Sequence, residues 1–488
     1  MKKRVIACLL AMLLTTSAII SCGESTSDTQ TSPADTTPVP EETAVIPEET
    51  EPDVVSDDLP ERFFDDFSYN IYTRENATHY AYLAEELTGE LLNDAIYERN
   101  ERVSERFGVV FSEMTYTDAN LPVTNVQSGD DSFSLMNVRC TTADTMGQRA
   151  MVMDMSSLEY IDLSKPYWDK ELADMINIGD RTFTAIGASN MTAIDFLVVM
   201  LFNKTLAEKY QVENLYDAVR EGRWTMDLFA EYASAATDDI NGDGAYTKND
   251  QYGALGSSIF LQCTMIPAAQ AWYIKKDADN LPYFDMASDE HFLNVFEKIF
   301  AVLYDNKAWY PNTETANDQP LNTVMFQNGQ GLFMGSQVFY VESMRDMEYD
   351  FGILPFPKYD EKQAEYYTRL CFYDTAVIPV TVPDVECSSI ILEALACDSF
   401  NTVVPSYKEN ILKSKFVRDE DSSEMMDLIM QHRVVDLGDT VYLDTIRNGF
   451  INNSFKNSKR EVASQIQANV SKMESSLATM IEKYSAVE

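Results

Sequence analysis

A chain of 488 residues with a formal net charge of −42 can bury a large core and divide into two or three lobes. Its acidity argues against binding to nucleic acid or to anionic lipid surfaces. Three histidines and the lack of a G-x-S-x-G run leave zinc hydrolysis of the H-E-x-x-H type and most histidine triads poorly supplied.

The N-terminus sets the compartment. Lys2, Lys3 and Arg4 form a positive patch, and Val5 to Ile20 is an apolar run broken by Thr15, Thr16 and Ser17. Such a run is too short to span a bilayer comfortably and reads as a signal peptide over residues 1–21. Its end, Ile19-Ile20-Ser21-Cys22, looks like a bacterial lipobox, which makes Cys22 the lipidated first residue of the exported chain. Acyl chains then anchor the protein, each buried methylene contributing about 0.8 kcal/mol. Gly23 to Pro60 holds eleven acidic residues, six prolines and no Lys or Arg, too little apolar surface to offset the entropy of ordering. Residues 22–61 therefore read as a lipidated cysteine and a disordered acidic tether, with folding starting near Arg62. Beyond Cys8 and Cys22 stand Cys140, Cys263, Cys371, Cys387 and Cys397; one disulfide is allowed in an exported protein, and nothing in the spacing chooses a pair.

Phe67 to Tyr72 alternates apolar and polar residues as a strand does. Leu92, Ile96, Val103 and Phe107 lie at helical spacing within Leu91 to Phe107, and Val109 to Met114 returns to strand. Phe133 to Val138 predicts a further short strand, followed by a helix from Ala143 and a loop from Asp162 to Tyr167. Phe196 to Phe202 is a continuous apolar run suited to a strand buried on both faces. Asn203 opens a helix over Lys204 to Tyr210, and Thr225 caps another from Met226 to Ala236. The alternation of strand and helix predicts α/β lobes with largely parallel sheets.

The second of these helices leads into "DDINGDGAYTKNDQYG". Against the calcium-loop pattern, Asp239, Asn241 and Asp243 take positions 1, 3 and 5, Gly244 position 6, the Ala245 carbonyl position 7, Thr247 position 9 and Asp250 position 12. Hard calcium takes six to eight oxygens, and the glycine permits the turn around the ion. Asp250 replaces the usual bidentate glutamate and the following residues do not look helical, so a structural calcium clip fits better than a switching pair. Asn241-Gly242 and Asp243-Gly244 can also serve as plain exposed turns.

Together with this loop, "LFNKTLAEKY" (Leu201 to Tyr210), "REGRWTMD" (Arg220 to Asp227), "FQNGQGLFMGS" (Phe326 to Ser336) and "DFGILPFPKYD" (Asp350 to Asp360) resemble the extracellular solute-binding proteins of bacterial ABC importers. The likeness is to the family-1, carbohydrate-type branch that includes maltose-binding proteins. "LLNDAIYERNERVSERFGV" and "PSYKENILKSKFVRDEDSSEMMDLI" resemble a clostridial-like lipoprotein subgroup of it. The resemblance covers nearly the whole chain after the tether and implies an α/β fold of the type II periplasmic-binding kind, with two lobes, a hinge and an interlobe cleft. It puts lobe one at 62–200 plus 318–365 and lobe two at 201–317 plus 366–488.

The function so implied is capture of a solute, an oligosaccharide by family analogy, for delivery to an ABC permease. The protein would be a non-enzymatic monomer at the extracellular face of the membrane, held there by its lipid alone. A secreted carbohydrate-active enzyme and a surface glycan receptor are the alternatives; the first needs two carboxylates facing each other across a groove. A sugar site needs aromatic platforms and a few oriented polar groups. By position in the resemblance, the ligand contacts are Arg139 and Thr141 in "VRCTTAD", Phe260 and Gln262 in "SSIFLQ", and Gln337, Phe339 and Tyr340 in "GSQVFY". Arg139 stands out on physical grounds, since a charge directly after an apolar strand is costly unless it is paired or used. No tryptophan falls at these places, which departs from the maltose-binding pattern. Trp168 and Trp224 read as packing residues, whereas Trp272 and Trp309 either approach the cleft or fill apolar gaps.

Overall fold

The computed structural model describes residues 54–75, 82–310, 318–344, 346–413 and 420–486; the signal peptide, Cys22 and the tether up to residue 53 lie outside the described residues. In chain order the strands are β1 (Phe67–Arg74), β2 (Val109–Tyr116), β3 (Leu135–Arg139), β4 (Val198–Asn203), β5 (Tyr252–Leu255) and β6 (Lys275–Lys276). They continue with β7 (Pro282–Tyr283), β8 (Gly331–Gln337), β9 (Phe351–Leu354), β10 (Thr368–Arg369), β11 (Asp374–Val377) and β12 (Arg433–Val434). Two four-stranded sheets result, ordered β11-β3-β1-β2 and β5-β8-β4-β9, and each is the centre of one lobe.

Lobe one begins as the sequence predicts. β1 and β2 are parallel, and a parallel pair needs a crossover, which the helix Leu91–Phe107 supplies. Ile96, Val103 and Phe107 are buried, and Gly108 ends the helix in the left-handed region at φ 64°, its N–H donating to the Ser104 carbonyl. Arg99 is also buried, against the apolar pattern. It is kept there by donating to Asn100 Oδ1 and Ser399 Oγ and to the Tyr82 carbonyl.

Lobe two is built on β4, whose residues are all buried, as the apolar run implies. Asn203 accepts from Leu206 N–H and Thr225 from Leu228 N–H, so both predicted helix caps are present. Expected largely parallel pairing holds in only part of the fold: β4 runs antiparallel to both β8 and β9, and β11 antiparallel to β3. A buried apolar strand carries no mark of its direction.

The lobe boundaries require a larger correction. β8 and β9 pair with β4, so residues 318–365 belong to lobe two rather than lobe one. Lobe one is completed instead by β11 on β3 and by the helix Val385–Asn401, where Asp398 pairs with Arg102 on the first long helix. The folded body also starts before Arg62. Val55 N–H donates to Asn401 Oδ1, and Asp57 and Asp58 pair with Arg106 and Lys165, so the last residues assigned to the tether are docked on lobe one. Cys140, Cys263, Cys371, Cys387 and Cys397 are free, buried thiols.

Two segments pass between the lobes where the site forms. Residues 196–198 lead into β4, and residues 370–374 lead from β10 into β11. They touch each other, since Leu197 bridges Leu370 and Cys371 N–H donates to the Phe196 carbonyl. β12 returns beside β10, and the C-terminal helix Val462–Ser485 reaches lobe one through Tyr484, whose hydroxyl donates to Asp144 at 2.8 Å.

Candidate functional site

Parallel strands deliver side chains of successive turns to the same sheet end, which is where open α/β sheets present ligand contacts. At that end of lobe one, β1 closes on Arg74 and β3 on Arg139. β11 opens there on Asp374, directly opposite Arg139 in the register. Arg74 Nη2 donates to Asp374 Oδ2 at 2.8 Å, while Arg139 Nε stands 3.8 Å from Oδ1, too far for a hydrogen bond. The Arg139 side chain is 31% exposed and Asp374 is buried.

The facing end of lobe two is shaped by two glycines. A Cβ on Gly335 of β8 would meet the Phe260 carbonyl at 2.6 Å, and one on Gly256 the Gly335 carbonyl at 2.8 Å. This close approach seats Ser257–Gln262 against the end of β8. There Gln337 Nε2 reaches the Cys371 carbonyl at 3.4 Å, binding the strand end to the crossing segment. Phe260 lies against Tyr340, Tyr340 against Phe339, and Phe339 against Phe196, a run of aromatic contacts along the lobe-two wall.

Between the walls, residues 369–374 and 436–456 form a polar floor. Arg369 donates to both carboxylate oxygens of Asp439 and, through Nη1, to the Ile259 carbonyl and Thr264 Oγ1; the pair is 1% exposed on each side. Phe372 has φ 66°, a left-handed conformation uncommon for a bulky residue, and its ring carries two guanidiniums, Arg139 at 5.5 Å and Arg447 at 4.4 Å. Arg447 starts a π-helical turn, Arg447–Ile451, a local widening that recurs at functional sites. Its side chain is fully buried, 3.5 Å from Asp439 Oδ1, and its Nε donates to Asn448 Oδ1 at 3.2 Å. Among the described residues its two terminal nitrogens have no hydrogen-bond partner.

The ionisable neighbours respond to this charge. Burial and the Arg447 cation hold the Lys456 ammonium below the usual lysine range. Burial pushes the Cys263 thiol up to about 12 although Arg369, Arg447 and Lys456 pull it the other way. Asp436 turns from the floor to accept backbone N–H groups of Tyr273 and Gly438, and burial pushes its carboxyl up to about 7.

Of the residues expected to touch ligand, Arg139, Phe260, Gln337, Phe339 and Tyr340 thus gather around the crossing segments. Phe339 is 36% exposed. Thr141 is half-buried on the helix that follows Arg139. Gln262 is turned inward: it is fully buried, its Nε2 reaches Tyr304 Oη at 3.3 Å and its Oε1 lacks a partner. Arg74, Arg369, Phe372, Asp374, Asp439 and Arg447 are added by the fold. The sequence signal of the charged ones is a charge set among apolar residues, as in "TRLCFYD" and "DTIRNGF". Trp168 and Trp224 pack as expected, and Trp309 fills the lobe-two core, donating to the Gly256 carbonyl at 3.0 Å. A separate cavity of about 460 Å³ is lined by Tyr167, Asp169, Asn190 and Arg433 among others, and Arg433 is already paired there with Asp169.

The aspartate loop lies elsewhere on lobe two. Asp239 accepts from the N–H groups of Gly242 and Gly244, Asn241 from Asp243, and Asp243 from Ala245. Asp250 Oδ2 accepts from Thr247 N–H and Oγ1, while Oδ1 is buried without a partner among the described residues. The donors are hard oxygens in the order calcium takes, and the orphaned Asp250 oxygen fits a cation. Among the described residues no three acidic side chains form a ready-made metal cluster, so an ion would have to draw Asp239, Asp243 and Asp250 together.

No family model and no curated protein matches this chain. Solved structures do match. A galacto-N-biose/lacto-N-biose I-binding protein of an ABC transporter from Bifidobacterium longum is 12% identical at a TM-score of 0.58, over 85% of this chain and 98% of its own. A sugar transporter protein from Rhizobium etli in an open conformation is 14% identical at 0.56, over 86% and 100%. An ABC substrate-binding protein from Listeria monocytogenes in complex with cycloalternan is 14% identical at 0.55, over 84% and 99%. The chain has the two-lobed α/β fold of these proteins.

Proposed function

We propose that this chain, whose fold is that of extracellular solute-binding proteins, captures an oligosaccharide between its lobes and delivers it to an ABC permease. The observation that carries this reading is the interlobe end of the two sheets, where polar and aromatic side chains from both lobes meet on a crossing segment. A ligand touching both lobes favours the shut state over the open one, and no bond needs to be made or broken. The neighbours in fold are binding proteins of sugar transporters, in keeping with a non-enzymatic role. Asp374 and Asp439 are each committed to arginines rather than set as an acid and base across a groove.

The finer parts of the reading follow from the sequence. The chain is exported, lipidated at Cys22, anchored by that lipid at the outer face of the membrane, and works as a monomer. A calcium ion held by Asp239, Asn241, Asp243, the Ala245 carbonyl, Thr247 and Asp250 staples the loop after the helix Met226–Ala235. At near-millimolar calcium this adds roughly 1 to 3 kcal/mol.

Thermal denaturation of the full chain against a panel of oligosaccharides and peptides, with and without calcium, tests the reading. An oligosaccharide that binds only the folded chain raises the melting temperature. Hydrolysis of the panel sugars would transfer the assignment to an enzyme, and a shift with peptides alone would remove carbohydrate as the solute.

A further inference from the structure

Two buried arginines of the floor differ in a way that points to the ligand's charge. Arg369 is fully satisfied, with both carboxylate oxygens of Asp439, a backbone carbonyl and a hydroxyl on its fork. Arg447 is at least as deeply buried, yet among the described residues its only ion-pair partner is that same Asp439, and both terminal nitrogens lack hydrogen bonds. Arg139, over the same Phe372 ring, stands 3.8 Å from Asp374 Oδ1, beyond hydrogen-bond reach, while Arg74 engages the other oxygen of Asp374 at 2.8 Å.

Lys456, whose ammonium is lowered first by burial and further by the Arg447 cation, adds another positive group, and among the described residues it is in no ion pair. The floor and the strand ends beside it therefore carry Arg74, Arg139, Arg369, Arg447 and Lys456 against Asp374 and Asp439, with Asp436 turned to backbone N–H groups and Asp444 to the Asn448 amide. This excess sits inside a chain of net charge −42, so it is not a local sample of the background. A buried guanidinium without acceptors is costly, and a structural ion pair would resemble Arg369 instead. Anion binding removes that cost, because arginine forks match planar oxyanions and form their strongest hydrogen bonds with them.

We infer that the cleft selects an acidic carbohydrate, one bearing a carboxylate or sulfate group that Arg139 at the end of β3 and Arg447 of the floor hold together. The inference rests on the proposed capture of an oligosaccharide and names its class. Arg139, partly exposed at the end of β3, meets the anion first. Parting of the lobes, the hinge motion of this kind of fold, gives the anion access to the unpaired nitrogens of Arg447. Phe372, held in its left-handed conformation, keeps both guanidiniums on one ring.

Titration calorimetry of the full chain with a galacturonic acid trisaccharide, a sulfated galactose oligosaccharide and neutral galactotriose tests this. The expected result is binding of at least one acidic sugar about ten-fold or more tighter than the neutral one, with the preferred arm telling carboxylate from sulfate. Arg139→Gln, at a partly exposed position, is expected to erase that preference. Arg447→Met is expected to erase it too while leaving the ligand-free melting temperature unchanged or higher. Neutral galactotriose binding as tightly as the acidic sugars overturns the inference and leaves the proposed function standing. A lower ligand-free melting temperature in Arg447→Met assigns Arg447 a structural role and also overturns it. Absence of binding by every sugar overturns both readings.

Discussion

The aspartate loop and the interlobe floor are both rich in charge, but they satisfy it by opposite means. In the loop, each side chain bonds an N–H two to five residues along the chain, as Asp239 does with Gly242 and Gly244, and most of the segment faces solvent. In the floor, Arg369 reaches Asp439 across 70 residues and Arg74 reaches Asp374 across 300, and the carboxylates are shut away from water. Local partners form whether or not the lobes assemble. Distant partners exist only once they have, so the floor's ion pairs depend on the assembled fold.

That contrast can be broken most severely at Asp439. Asp439→Ala leaves Arg369 and Arg447 buried with no carboxylate between them and is expected to cost about 3 to 5 kcal/mol. Urea unfolding measures this, and a loss under about 1 kcal/mol would mean that water already reaches the floor.

A second long-range contact sharpens the comparison through pH. Burial pushes the Asp144 carboxyl from 3.8 up to about 6, although Tyr484 and Gln148 donate to it and pull it down. The folded chain therefore holds this proton more tightly than the unfolded one. Its contribution to stability is fully present below about pH 3.8 and declines as pH rises to about 6. Relative to Asp144→Asn, the native chain is expected to lose about 2 to 3 kcal/mol across that window and little beyond it. Parallel pH dependence in the two proteins would show that the group is solvated.

The smallest effect is expected in the loop. Asp243→Ala without calcium should change stability by less than about 0.5 kcal/mol, as exposed substitutions do. With near-millimolar calcium the loss should grow to roughly 1 to 3 kcal/mol, read from paired thermal scans. Equal scans for native chain and variant at every calcium concentration would remove the ion.

The same contrast accounts for what could be read from sequence. The helix Leu91–Phe107, the caps at Asn203 and Thr225 and the apolar strand over 198–203 depend on neighbours within a few residues, and they stand where periodicity and capping put them. The placement of residues 318–365 failed because nothing inside β8 or β9 tells which sheet will accept it. Within the site, Arg139 was legible as a charge ending a buried strand. Gln262, expected from the family resemblance alone, proved to be turned into the lobe-two core. Arg447 and Asp439 acquire their roles from a crossing segment about 70 residues upstream, and the left-handed Phe372 between them has no glycine or asparagine to announce it.

The central claim is that a dissolved molecule is gripped between two hinged lobes. Small-angle X-ray scattering of the full chain, with and without a saturating sugar that calorimetry shows to bind, tests it most directly. A fall in the radius of gyration on binding is the result expected of closing lobes; binding with an unchanged radius of gyration would contradict the account.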